Sequence, residues 1–126
     1  MLEKYTITVE DLLLRRFPVI NEPKFIPFFK EINGQYQPTS AAFKTKPNEN
    51  GLSVNIKPLT PDIASFIGDT QSYKVAEFSA AIALIEGYKC EHDPIVTKEM
   101  NNPGHALIIG NTEKIAKKIS KNCKVL

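Results

Sequence analysis

The sequence predicts an α+β domain: a mostly antiparallel sheet of about five or six short strands covered by about three helices. Three stretches carry that prediction. Leu52-Ser53-Val54-Asn55-Ile56-Lys57 alternates apolar and polar residues with a period of two, as a strand with one buried face does. His105-Ala106-Leu107-Ile108-Ile109-Gly110 is a short apolar run between Pro103-Gly104 and Asn111, and reads as a central strand with both faces covered. Ile115, Ala116 and Ile119 recur at helical spacing, with Lys114, Lys117, Lys118 and Lys121 outward, so residues 112–122 form an amphipathic helix.

The remaining elements follow in chain order. Thr8-Val9-Glu10-Asp11 resembles a helix start, so one helical turn should precede a strand over Leu12–Phe17. Residues 21–37 form a connection with apolar patches at Phe25-Ile26, Phe28-Phe29 and Tyr36, and Asn33-Gly34 is a turn signal. Ser40–Lys46 and Leu52–Lys57 are expected to pair as a hairpin across the turn-rich Pro47–Gly51. Thr60 as N-cap and Pro61 at the first helical position start a helix that runs to Phe66-Ile67 and stops at Gly68. Residues 73–87 read as a strand to Phe78 and a helix from Ser79 to Glu86 closed by Gly87, with one longer helix as the alternative. Tyr88–His92 is a further strand, and residues 96–102 a polar loop.

Composition narrows the function classes. The chain has 126 residues, 42% of them apolar and 24% charged, which fits a single domain over 1–126 with its own core. A net charge of +2 predicts no nucleic-acid or membrane partner by itself. The longest apolar run, Ala80–Ile85, is too short to span a bilayer, and Met1–Tyr5 lacks the pattern of a leader. A cytoplasmic location is therefore expected, with Cys90 and Cys123 as reduced thiols. No GxGxxG, P-loop, HExxH or GxSxG motif occurs, and no cofactor is expected.

Chemistry, where the sequence nominates any, centres on His105. A histidine opening a strand can reach a rim and act as general acid or base, or rest half-buried with a ring nitrogen bonded to a backbone carbonyl. Ser53, Ser40 and Arg15 or Arg16 could join it, and two adjacent arginines can clamp a phosphate; pairing with Glu10 or Asp11 at the surface is the plainer role for them. Gly110-Asn111-Thr112 places backbone donors at a strand-to-helix turn, where an anion can sit. Cys90, His92, His105 and Cys123 are zinc-type ligands in a spacing that no common zinc motif has, so no metal is assigned. Lys114, Lys117, Lys118 and Lys121 could touch phosphates, although no aromatic platform accompanies them in sequence.

Ser40-Ala41-Ala42-Phe43-Lys44, Gly51-Leu52-Ser53-Val54 and Pro103-Gly104-His105-Ala106 with Ile108 and Gly110, together with Leu14-Arg15-Arg16, resemble a group of small bacterial proteins of unassigned function. That resemblance spans residues 12–118 and implies a compact domain from mobile or defence-related gene neighbourhoods, with no established reaction. Arg15 on a first strand and Ser53 on a later one also look like ADP-ribosyltransferase-type folds, whose catalytic glutamate has no counterpart in place here. The leading expectation is an accessory or interaction domain binding a protein or nucleic-acid partner, or a second copy of itself. The rival is a small nuclease or transferase-type toxin using His105 with Arg15 and Ser53.

Overall fold

The structure is a computed structural model that describes residues 4–126. Met1–Glu3, the start of the segment read for a leader, lie outside the described residues. Along the chain come β1 (Leu12–Pro18), a hairpin of β2 (Phe29–Ile32) and β3 (Gln35–Pro38), β4 (Gly51–Ile56), α1 (Ile63–Ile67) and β5 (Tyr73–Ser79). They are followed by α2 (Ala81–Ile85), β6 (Cys90–His92), a small hairpin of β7 (Ile95–Val96) and β8 (Asn101–Asn102), β9 (His105–Ile109), α3 (Glu113–Lys121) and β10 (Lys124–Val125). Six strands form one sheet in the order β10–β5–β1–β4–β9–β6, every described pairing antiparallel. The expected α+β architecture is thus present. No helix among the described residues is long and apolar enough to cross a membrane.

Strand alternation divides the sheet into two unlike faces. On the first face, Leu13 and Phe17 of β1, Leu52, Val54 and Ile56 of β4, Phe78 of β5 and Ile108 of β9 are buried against Ala83 of α2 and Ile115, Ala116 and Ile119 of α3. Full burial of each large apolar side chain contributes about 1.5–3 kcal/mol. Phe43 completes this core edge-on to Phe78, with ring centroids 5.7 Å apart. The second face carries Leu14, Val75 and Asn55, all buried, beside more exposed residues such as Arg16, Ser53 and His105. Its covering is lighter: a 3-10 turn over Lys57–Leu59, α1 and the β7–β8 hairpin.

Several local expectations change. Ser40–Phe43 is a 3-10 turn rather than a strand, so it makes no hairpin with β4, which pairs with β1 and β9 instead. The turn is held by side chains that reach it from far along the chain. Arg15 Nε–H donates to Ala42 O at 2.9 Å, and Thr112 Oγ–H donates to Phe43 O. Asp62, not Thr60, caps α1, accepting from the Ser65 amide at 3.1 Å. Thr60 is buried and donates to Ile56 O at 2.9 Å. The Thr8–Asp11 segment stays a single turn, with the Asp11 carboxylate accepting from the Thr8 amide and the Tyr5 hydroxyl, both at 2.7 Å. Residues 95–96 and 101–102 pair as a hairpin where a loop was expected. β9 lies inside the sheet as expected, but the middle pair is β1–β4 and β9 sits one strand from the β6 edge.

Gly104 shows how closely these pieces approach. A Cβ there would lie 2.6 Å from Thr60 Oγ1 and 2.8 Å from Leu59 O, contacts no side chain tolerates. Arg15 is the other constraint. Its guanidinium lies on the core face and bonds two backbone carbonyls, Ala42 O and Ser53 O, each at 2.9 Å. Burial holds its pKa below the usual arginine value, partly offset by Glu49. Replacing Arg15 by Met removes both donors and leaves the carbonyls short of partners, so chemical denaturation of Arg15→Met should show a loss of about 2–4 kcal/mol. A loss below about 0.5 kcal/mol would mean that the two bonds contribute little.

Candidate functional site

Two grooves, one on each side of the molecule, are large enough to hold a partner. The first, about 650 Å³, runs between the β2–β3 hairpin and α3. Asn33 (φ +52°) and Gly34 (φ +78°) turn the hairpin, and alternation then aims Lys30, Ile32 and Gln37 into the groove. Phe29 and Tyr36 instead pack edge-on to each other and against the core, which anchors the hairpin. From the opposite bank come Lys117 and Lys121, one helical turn apart. Ser40 lies in the groove as well. Among the described residues no carboxylate lines it.

The four helix lysines therefore do not act as one face. Lys117 and Lys121 turn toward the hairpin. Lys114 and Lys118 turn toward Glu86, whose carboxylate lies 3.8 Å from Lys118 Nζ. The hairpin lysine, Lys30, was not nominated from the sequence, because only the fold brings residue 30 beside residues 117 and 121.

The second groove, about 590 Å³, lies on the other face of the sheet between α1 and the β7–β8 hairpin. Its floor is an amide pair. Asn55 Nδ2 donates to Asn102 Oδ1 at 2.7 Å, and Asn102 Nδ2 donates back to Asn55 Oδ1 at 3.1 Å. The other Asn55 N–H goes to Thr60 Oγ1 at 3.0 Å. Asn55 is 2% exposed, so this pairing is what allows its amide to be buried. Arg16 stands at the side of the groove with its guanidinium 4.1 Å from the centre of the Tyr73 ring and an N–H donated to Ile67 O at 3.3 Å.

The nominated residues are distributed differently from a single site. His105 and Ser53 share the second face, but Arg15 and Arg16 alternate to opposite faces and so cannot clamp one phosphate together. Arg15 reaches the backbone of Ser53, not its hydroxyl. His105 is half-buried, with Nδ1 2.9 Å from Asp93 O and 3.3 Å from Asp93 Oδ2. It lines neither of the two grooves. At the strand-to-helix turn the amides of Gly110, Thr112 and Glu113 already donate, to Asn50 O, Thr45 Oγ1 and Asn111 Oδ1. Those donors serve the fold, and the Glu113 carboxylate adds a negative charge in the first turn of α3.

His92, the second histidine, is buried and also structural. Its Nδ1 accepts from the Tyr5 amide at 2.8 Å and its Nε2 lies 2.6 Å from Pro103 O. A carbonyl only accepts, so Nε2 carries the proton and the ring is the neutral Nε2–H tautomer. Cys90 shares its face of β6, while His105 projects from the other side of the sheet. Among the described residues no three His, Cys, Asp or Glu side chains gather as a metal site needs. Both cysteines are free thiols, and burial pushes both pKa values up, that of Cys90 to about 11. Comparison with protein-family models, with curated proteins and with solved structures finds no match to this chain.

Two outcomes follow from this geometry. Asn102→Ala strands the buried Asn55 amide and should cost about 1–3 kcal/mol, with faster hydrogen exchange over residues 95–102. Unchanged exchange there would show that the amide pair does not hold the hairpin. Raising the Cys90 pKa from 9 to about 11 leaves roughly a hundredfold less thiolate at neutral pH. Alkylation of Cys90 in Cys123→Ser protein should therefore keep accelerating up to about pH 11. A plateau near pH 9 would contradict the burial.

Proposed function

We propose that this chain is a non-catalytic domain that binds nucleic acid by its phosphate backbone in the groove between the β2–β3 hairpin and α3. The observation that carries the reading is the convergence of Lys30, Lys117 and Lys121 on one groove that no described carboxylate lines. Like charges do not gather without cost, and an ordinary solvated lysine face intersperses acids, as Lys118 and Glu86 do on the other flank of α3. A phosphate chain relieves the repulsion by displacing the counterions that the lysines and phosphates otherwise hold.

The lysine spacing suits a single strand. Lys117 and Lys121 stand about 6 Å apart along one helix face, comparable with successive phosphates of one strand. The residues around them, including Ser40 and Gln37, donate and accept hydrogen bonds without reading a base pattern. Among the described residues no aromatic side chain lines the groove, so base stacking adds little and binding is independent of sequence. The free thiols suit a reducing, cytoplasmic setting. The resemblance of the Ser40–Lys44, Gly51–Val54 and Pro103–Gly110 segments to small bacterial proteins supports extending the reading to bacterial defence or mobile elements. The rival reading, a toxin using His105 with Arg15 and Ser53, has less support because Arg15 projects from the opposite face of the sheet.

Fluorescence anisotropy with a labelled single-stranded oligonucleotide tests the proposal. Three lysines neutralising three phosphates predict a log–log salt slope of about −2. Lys117→Glu with Lys121→Glu should abolish binding at moderate salt with no change in melting temperature, while Lys114→Glu has a much smaller effect. Salt-independent binding, equal loss with Lys114→Glu, or tighter binding to an acidic polypeptide than to the oligonucleotide would overturn it.

A further inference from the structure

The second groove has a different character, and its charges are arranged for a smaller ligand. Arg16 is held in place on both sides: its guanidinium lies over the Tyr73 ring, and one Nη1–H bonds Ile67 O. Among the described residues no carboxylate lies within ion-pair distance of it, so the remaining edge of its planar donor fork is unused. Asp62 contributes a carboxylate to the same lining, with its oxygens accepting from the Ser65 amide and hydroxyl. Those two bonds, the hydroxyl first, hold the Asp62 pKa below the usual range, so it is charged at neutral pH. The two opposite charges share one cleft without pairing to each other.

Apolar side chains line the same cleft. Leu59 and Phe66 stand on the α1 side and Met100 on the hairpin side, and Met100 is 53% exposed. The amide pair beneath has most of its donors and acceptors already engaged. Its two members bond edge to edge, which uses the paired donor and acceptor of each side chain. It fixes the floor and leaves recognition to Arg16, Asp62 and the walls. The volume, about 590 Å³, is that of a site for a small organic molecule.

We propose that this cleft binds a small zwitterion with an apolar body, a short apolar peptide with both ends free, whose carboxylate meets Arg16 and whose ammonium meets Asp62. A phosphate dianion fits less well, because Asp62 opposes the second charge. An uncharged apolar molecule leaves both charged groups without partners and gains only the walls. The proposal is independent of phosphate binding on the other face.

Titration of the dipeptide Leu-Leu into 15N-labelled protein reads it directly. Saturable shift changes should centre on the amides of Arg16, Ser65, Phe66 and Asn101. Amidating the peptide's C-terminus, or acetylating its N-terminus, should each weaken binding at least about tenfold. Arg16→Met should remove the difference between free and amidated peptide, with folding checked by melting temperature. No shift at millimolar peptide, or equal binding of either capped form, overturns the proposal, and neither outcome depends on a variant folding.

Discussion

A cation on the core face of the sheet is the constraint from which the rest of the architecture follows. Arg15 alternates inward with Leu13 and Phe17, so its charge must be satisfied where the chain is otherwise building an apolar layer. It is satisfied by two backbone carbonyls, Ser53 O in the neighbouring β4 and Ala42 O in the 3-10 turn at residues 40–43. That turn then has a fixed height above the sheet. Thr112, fully buried, takes the next carbonyl, Phe43 O, and so ties the start of α3 to the same turn. Thr45 closes the junction by donating its amide to Thr112 Oγ1 and its hydroxyl to Gly110 O. One short segment thereby sets where α3 lies, and with it one bank of the lysine groove.

The two faces of the sheet differ in their electrostatics. On the core side, Lys117 and Lys121 of α3 and Lys30 of the neighbouring hairpin share a groove that no described carboxylate lines. On the lighter side, polar groups reach the sheet itself, and several are held there: Asn55 by Asn102 and Thr60, Lys57 by Glu77, and Arg16 by the Tyr73 ring and, through one N–H, by Ile67 O. At its floor the buried Asn55 amide has all its hydrogen-bonding groups engaged. The β7–β8 hairpin is tied to this floor through Asn102.

Patterns with a fixed period were readable from the sequence. The alternation of Leu52–Ile56 and the 115/116/119 stripe of α3 state which side is buried, and both are seated as read. The Tyr73–Phe78 strand and the helix after it also stand, closed at Gly87 with φ +87°. What could not be read is whatever depends on a distant donor. Ser40–Phe43 carries β-compatible residues, but its carbonyls belong to Arg15 and Thr112, and that competition ends its chance of pairing. Thr60 was read as the cap, but Thr60 is buried beside Gly104 and donates to Ile56 O, and Asp62 caps α1 instead. The candidate grooves were still harder to foresee. Lys30 meets Lys117 and Lys121, and Asn55 meets Asn102, across separations that no local spacing encodes. Ser40 and Arg16 were nominated and do line grooves, though on opposite sides of the molecule.

The most direct measurement is a footprint. Titrating a short unlabelled single-stranded oligonucleotide into 15N-labelled protein at low salt should move amide resonances of residues 30–40 and 117–121, and leave those around His105 and Ser53 in place. Shifts gathered at His105 and Ser53, or none anywhere at millimolar strand, would contradict the account.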